Sequence, residues 1–159
     1  MTNMRAVLGL VGWLLASFSA AAVGSWFTMP ALPVWYPTIA KPSWTPPEWV
    51  FGPVWTLLYT MMGAAAWVVW SGKGFSGARG ALGLFGVQLA LNALWSVIFF
   101  GLRMPGAALL EIVALWGAVI ATTAAFFRHS ALAGWLLVPY LLWLTFAAAL
   151  NFAIWRLNP

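Results

Sequence analysis

Neutral hydrogen-bonding side chains set among aromatics at helical spacing are the residues of this sequence best suited to do chemistry. Gln88, Asn92 and Ser96 recur every four residues and share one helix face, with Trp95 and Phe99 beside it. Phe51, Trp55, Tyr59 and Met62 repeat the pattern earlier in the chain, and Tyr140, Trp143, Ala147 and Asn151 repeat it later. Brought together, three such faces make an apolar pocket with a few fixed polar contacts, the arrangement that suits a flat hydrophobic small molecule. A plainer reading stands beside it. Asn and Gln inside membrane helices hydrogen-bond to neighbouring helices, and Trp and Tyr gather at membrane–water interfaces. Trp55 and Asn92 favour a pocket because each lies well inside its apolar run, whereas Trp13, Trp26, Trp70 and Trp155 lie nearer run ends.

Other chemistries find little footing. The chain has no cysteine and a single histidine, His129, so it offers neither a thiolate cluster for zinc nor a two-histidine haem ligand set. No metal site and no resident cofactor are expected. One histidine and two glutamates, Glu48 and Glu111, make a serine–histidine–acid arrangement improbable. No Gly-rich phosphate loop is present for ATP. Glu111 is the one acidic residue well inside an apolar run, Glu48 lying at the very start of another. Snorkelling or pairing with Arg103 or Arg156 is its structural expectation, and a proton-coupled role its functional one.

The elements that carry these faces follow from composition. Of the 159 residues 64% are hydrophobic and 6% charged, with a mean hydropathy of +0.95. A soluble domain carries about 25% charged residues, so lipid must be the solvent of this chain. Apolar runs at about 6–29, 47–70, 80–101, 105–127 and 132–155 are each long enough to cross a bilayer. The expectation is an all-α membrane protein, residues 1–159 forming a single bundle of five transmembrane helices. Between the runs, Ser71–Gly77 reads as a flexible loop, and Pro105 opens a helix after a tight turn. Pro53 and Pro139 lie inside spans. The segment Pro30–Pro46 is rich in proline and aromatics and reads as an ordered loop capping one end of the bundle.

The net charge of +5 comes from isolated residues, not a basic stripe, so no nucleic-acid partner is expected. Arg5, Lys73, Arg79 and Arg128 fall at one end, and Lys41, Arg103 and Arg156 at the other, an imbalance that leaves orientation open. Arg5 followed by apolar residues and Ala20–Ala22 loosely resembles a secretory signal. The apolar run exceeds the usual core of about 7–15 residues, and a retained first helix is expected. Gly12, Ala16, Ala20 and Gly24, four apart, read as its packing stripe. Gly83, Gly86 and Ala90 offer a similar stripe for a dimer, or for packing within one bundle. Helical spans favour a bacterial cell membrane over the barrel-dominated outer membrane.

The stretch Trp35 to Tyr59, with the core Lys41-Pro-Ser-Trp-Thr-Pro-Pro-Glu-Trp49, resembles the signature of the TspO/MBR family of tryptophan-rich sensory and translocator proteins. Gln88 to Ser96, Ala108 to Trp116, Val138 to Trp143 and Leu150 to Phe152 match in the family's order, so the resemblance covers nearly the whole chain. It implies a five-helix bundle, commonly a homodimer, with a pocket beneath the first loop. Members bind porphyrins such as protoporphyrin IX and isoquinoline carboxamide or benzodiazepine drugs, and some bind cholesterol. Carried over by motif, the ligand site comprises Trp35, Tyr36, Pro46, Trp55, Tyr59, Asn92, Ser96, Tyr140, Trp143 and Ala147. The resemblance implies a receptor or transporter role in porphyrin handling or stress signalling. A light-dependent porphyrin-degrading activity through Trp55 and Trp143 is the enzymatic alternative, and a structural membrane subunit a third reading. Two departures stand out. Pro37 replaces an acidic or polar residue, and Phe152 replaces the tyrosine of the sterol pattern, whose strict form is therefore absent.

Overall fold

The computed structural model describes residues 3–159. Its helices are α1 (Asn3–Ala31), α2 (Glu48–Gly77), α3 (Arg79–Ser96, continued by a π-helical turn Val97–Gly101), α4 (Pro105–His129) and α5 (Ala131–Leu157). All five are long and apolar enough to cross a membrane, and the described residues contain no strand. The shortest, 23 residues with its π turn, reaches about 35 Å at the helical rise, enough for a hydrocarbon layer of about 30 Å. Side chains such as Trp26, Leu110 and Leu142 stand exposed on the outer faces, as they must where lipid replaces water.

The core sits where α2, α3, α4 and α5 meet. Met62, Ala65 and Ala66 of α2 pack with Phe85 of α3, Ile112 and Leu115 of α4, and Leu137 and Leu144 of α5. Phe85 stacks on Phe126 with centroids 5.9 Å apart. Small residues set the approach of α1 to α2. A Cβ on Gly63 would lie 3.0 Å from Leu14 Cα, and one on Gly9 would enter the Trp70 ring. The buried face of α1 runs through Ser17, Ala20 and Gly24, while Gly12 opens outward with nothing near it. Residues strictly four apart drift by about 40° per step around a 3.6-residue helix, so only part of the expected stripe can face the bundle. Gly83, Gly86 and Ala90 are exposed on α3.

The connections differ from expectation in one place. Ser71–Gly77 is not a flexible loop: helical geometry continues through it except at Gly74, whose φ of 66° breaks the helix. The compact turn is favoured because the Phe75 ring then lies 5.8 Å from Trp13 and 6.0 Å from Trp70. Between α4 and α5 only Ser130 intervenes, capping α5 by accepting from the Ala133 N–H.

At the other end, the loop between α1 and α2 is tied down throughout. Trp35 N–H donates to Ala31 O at 2.9 Å, a 3₁₀ turn follows at Tyr36–Thr38, and Tyr36 is buried. Lys41 Nζ donates to the carbonyls of Tyr36 at 2.6 Å and Ile39 at 3.2 Å, and lies 4.5 Å from the Tyr36 ring centroid. Asn158, just past α5, grips Ala40 from both sides. Its Oδ1 accepts from the Ala40 N–H at 3.0 Å and its Nδ2 donates to the Ala40 carbonyl at 2.9 Å. Trp44 meets Phe146 edge-on at 5.8 Å.

Candidate functional site

Beneath that loop lies a cavity of about 810 Å³. The loop-proximal halves of α2, α3 and α5 form its aromatic walls, α1 closes one side, and Ile112 and Leu115 of α4 form its floor. On α2, Trp55 and Tyr59 lie one turn apart with rings 5.5 Å from each other. On α3, Trp95 stacks on Phe99 at 4.8 Å with an interplanar angle of 21°. The π turn, wider than an α turn, brings Phe99 and the adjacent Phe100 to the same wall. On α5, Trp143 contacts Phe146 at 5.3 Å and reaches across to Phe51 of α2 at 5.9 Å.

Two hydrogen-bonded relays hold these walls. The Tyr59 hydroxyl donates to Asn92 Oδ1, and Asn92 Nδ2 donates to the Tyr140 hydroxyl oxygen at 2.8 Å. One amide thereby joins α2, α3 and α5 inside the bundle. Nearer the loop, Trp95 Nε1 donates to Asn151 Oδ1 at 3.0 Å and Asn151 Nδ2 donates to the Pro105 carbonyl at 2.8 Å, joining α3, α5 and α4. Such contacts fix rotamers in an apolar surrounding, where an unpaired polar group is costly. The indole N–H of Trp143 is buried and has no partner among the described residues. In the loop, burial and, to a lesser degree, the nearby Glu48 carboxylate push the Tyr36 phenol above its ordinary pKa, so it is a neutral group at the cavity roof.

Of the residues expected at a ligand site, Tyr36, Trp55, Tyr59, Asn92, Ser96, Trp143 and Ala147 line the cavity. Trp35, Pro46 and Tyr140 do not. Trp35 packs edge-on against Phe99 at 5.6 Å, supporting the wall from behind. Tyr140 is fully buried and anchors Asn92. Pro46 stands just before α2, outside the lining. Gln88 and Met62, placed by periodicity on the same faces, lie in the packed core, with Gln88 Nε2 3.8 Å from Met62 Sδ.

Glu111 departs from its structural expectation. It is buried, neither carboxyl oxygen has a hydrogen-bond partner among the described residues, and it pairs with neither Arg103 nor Arg156. Both arginines are exposed at the bundle end, whereas Glu111 faces inward beside Ile112. Sequence reasoning also missed the wall supplied by α1, including Phe18, Ser25 and Thr28. These residues share one side of α1 at helical spacing, a pattern that the small-residue stripe read on that helix overlaps only in part.

The cavity has a mouth. Every exposed residue in its lining belongs to α1 (Ala22, Ser25, Met29) or α2 (Glu48, Trp49, Gly52, Thr56). The lining from α3, α4 and α5 is buried or half-buried. The opening therefore lies between α1 and α2 and faces sideways. Further along the same helix pair, Gly9 and Gly63 seal the contact.

Comparison with known proteins places this geometry in context. The sequence profile of the TspO/MBR family matches residues 12–156. The chain is 46% identical to the "Tryptophan-rich protein TspO" of Archaeoglobus fulgidus over 152 residues, covering 96% of this chain and 98% of that one. It is 45% identical to the human "Translocator protein" over 150 residues, covering 93% and 89% of the two chains. With the "Tryptophan-rich sensory protein" of Cereibacter sphaeroides it shares 42% identity over 149 residues, covering 92% of each.

Proposed function

The chain belongs to the TspO/MBR family, and from that premise we propose that it is a multi-pass membrane receptor or transporter that takes porphyrins and other flat hydrophobic molecules into the bundle cavity. Its role is then porphyrin handling or stress signalling in a bacterial-type cell membrane. The observation that carries this reading is the cavity itself: aromatic walls on three helices, held in place by the Asn92 relay, around about 810 Å³. A planar macrocycle buries both of its faces between such rings, and few polar contacts are needed to orient it. The sideways mouth suits ligands that partition into lipid before they bind. The outward-facing Gly83, Gly86 and Ala90 fit a homodimer through α3, which disulfide cross-linking of Ala90→Cys would capture.

The test is a titration with protoporphyrin IX followed by tryptophan fluorescence, run in parallel on Asn92→Ala and Trp55→Phe. Saturable quenching that weakens in both variants supports the pocket. Quenching that never saturates, or that the variants leave unchanged, means surface partitioning and overturns it.

A second reading rests on Trp55 and Trp143 both lining the cavity, the latter with a free indole N–H. Here a bound porphyrin is oxidised by dioxygen under light, with these tryptophans as electron relays. It requires an optical product that disappears in Trp55→Phe or Trp143→Phe. Equal bleaching by free tryptophan in detergent refutes it.

A further inference from the structure

A second recess lies at the opposite end of the bundle from the cavity. It holds about 550 Å³ between α1, the turn ending α2, and α3, and is lined by Trp13, Phe75, Ser76, Arg79, Leu82 and Gly83. The break at Gly74 folds Phe75 back over this recess, its ring 5.8 Å from Trp13 and 63% exposed. On the far side of Phe75 stands Trp70, 6.0 Å away, and the Arg5 guanidinium lies 5.9 Å from the Trp70 ring centroid. The recess thus has two parts: an apolar slot along Trp13, Leu82 and Gly83, and a guanidinium at its rim where α3 begins.

Charge decides what fits. Arg5, Lys73, Arg79 and Arg128 all belong to this end of the bundle. The only acidic residues are Glu48, at the start of α2 by the opposite end, and Glu111, less than two turns into α4 from that same end. No acidic side chain of the sequence sits near enough in the fold to neutralise Arg79. Basic recesses between transmembrane helices recognise anionic lipid headgroups. Phosphate accepts charge-assisted hydrogen bonds from guanidinium, and an acyl chain fills an apolar slot that a free anion leaves empty. We propose that this recess binds one acidic phospholipid, its phosphate on Arg79 and an acyl chain along Trp13 and Leu82, bordering at Gly83 on the α3 face proposed for the homodimer. A zwitterionic lipid brings its own ammonium to the cationic rim and binds less well. The site is separate from the porphyrin cavity and does not depend on it.

Native mass spectrometry of the full chain, offered equal amounts of phosphatidylglycerol and phosphatidylcholine, tests this. The expected result is retention of one phosphatidylglycerol per chain. Arg79→Gln lowers that retention about tenfold or more, the worth of a hydrogen bond to a charged group. Arg128→Gln removes the same charge from the same end but outside the recess, and leaves retention within about twofold. Phe75→Ala, which opens the slot while keeping every charge, also weakens retention. Equal losses from Arg79→Gln and Arg128→Gln would mean a diffuse field rather than a site. Equal retention of the two lipids, or a chain dimer that forms without lipid and excludes it, likewise overturns the proposal.

Discussion

Replacing Asn92 by alanine removes the one amide that joins α2, α3 and α5. Two hydrogen bonds disappear, from the Tyr59 hydroxyl and to the Tyr140 hydroxyl oxygen. Both phenols are buried, with exposures of 7% and 0%, so protein groups rather than solvent must supply any replacement. Side-chain hydrogen bonds between membrane helices average about 0.6 kcal/mol and reach about 1.7. Two of them therefore set the loss at about 1.2–3.4 kcal/mol. Equilibrium unfolding in mixed micelles, followed by tryptophan fluorescence, measures it. The sharper test is the cycle with Tyr140→Phe. That substitution alone should cost about 0.6–1.7 kcal/mol, yet add almost nothing once Asn92 is gone, because its partner is already missing. If the two effects simply add, within the usual ~0.3–0.5 kcal/mol, the relay is a geometric coincidence and does not hold the three helices together.

Three further outcomes are expected. Gly63→Ala should destabilise the bundle by about 1–3 kcal/mol, since its Cβ would meet Leu14 Cα at 3.0 Å and Trp13 O at 3.1 Å; unchanged unfolding would show that α1 yields freely there. Asn158→Ala should free Ala40 while leaving the helices intact, raising hydrogen exchange at the Ala40 amide by about fivefold, the worth of one hydrogen bond near 1 kcal/mol. Ser25→Trp narrows the mouth from α1 and should slow porphyrin association in stopped-flow fluorescence with little change in melting temperature. An unchanged association rate would place the entrance elsewhere.

The helices were legible because a bilayer leaves the chain so few choices. With all charged residues but Glu48, at the very start of a run, and Glu111 outside the apolar runs, those runs could only be spans. The faces of Trp55 and Asn92 were legible because polar and aromatic residues interrupt otherwise aliphatic helices at the helical period. The inward side of α1 was legible only in part: the small-residue stripe found Ala20 and Gly24 but not Phe18, Ser25 and Thr28, which face the cavity. Gln88 carried the same periodic signal as Asn92 but lies a turn deeper, where the helices close up. Periodicity gives the face and not the depth at which a bundle opens. The compact Gly74 turn was hidden for a related reason: glycine and serine read as loop, while the distant Trp13 ring that draws Phe75 inward leaves no local mark.

The shallow seating of α1 has a consequence for ligand range. Only 11% of its most apolar stretch is buried within the protein, against 33% or more in the other four helices, and it packs chiefly on α2 and α3. Of the cavity's walls it is the one that lipid rather than protein chiefly supports. On the function proposed above, α1 is then the wall expected to yield when ligands differ in thickness, while the other helices stay packed.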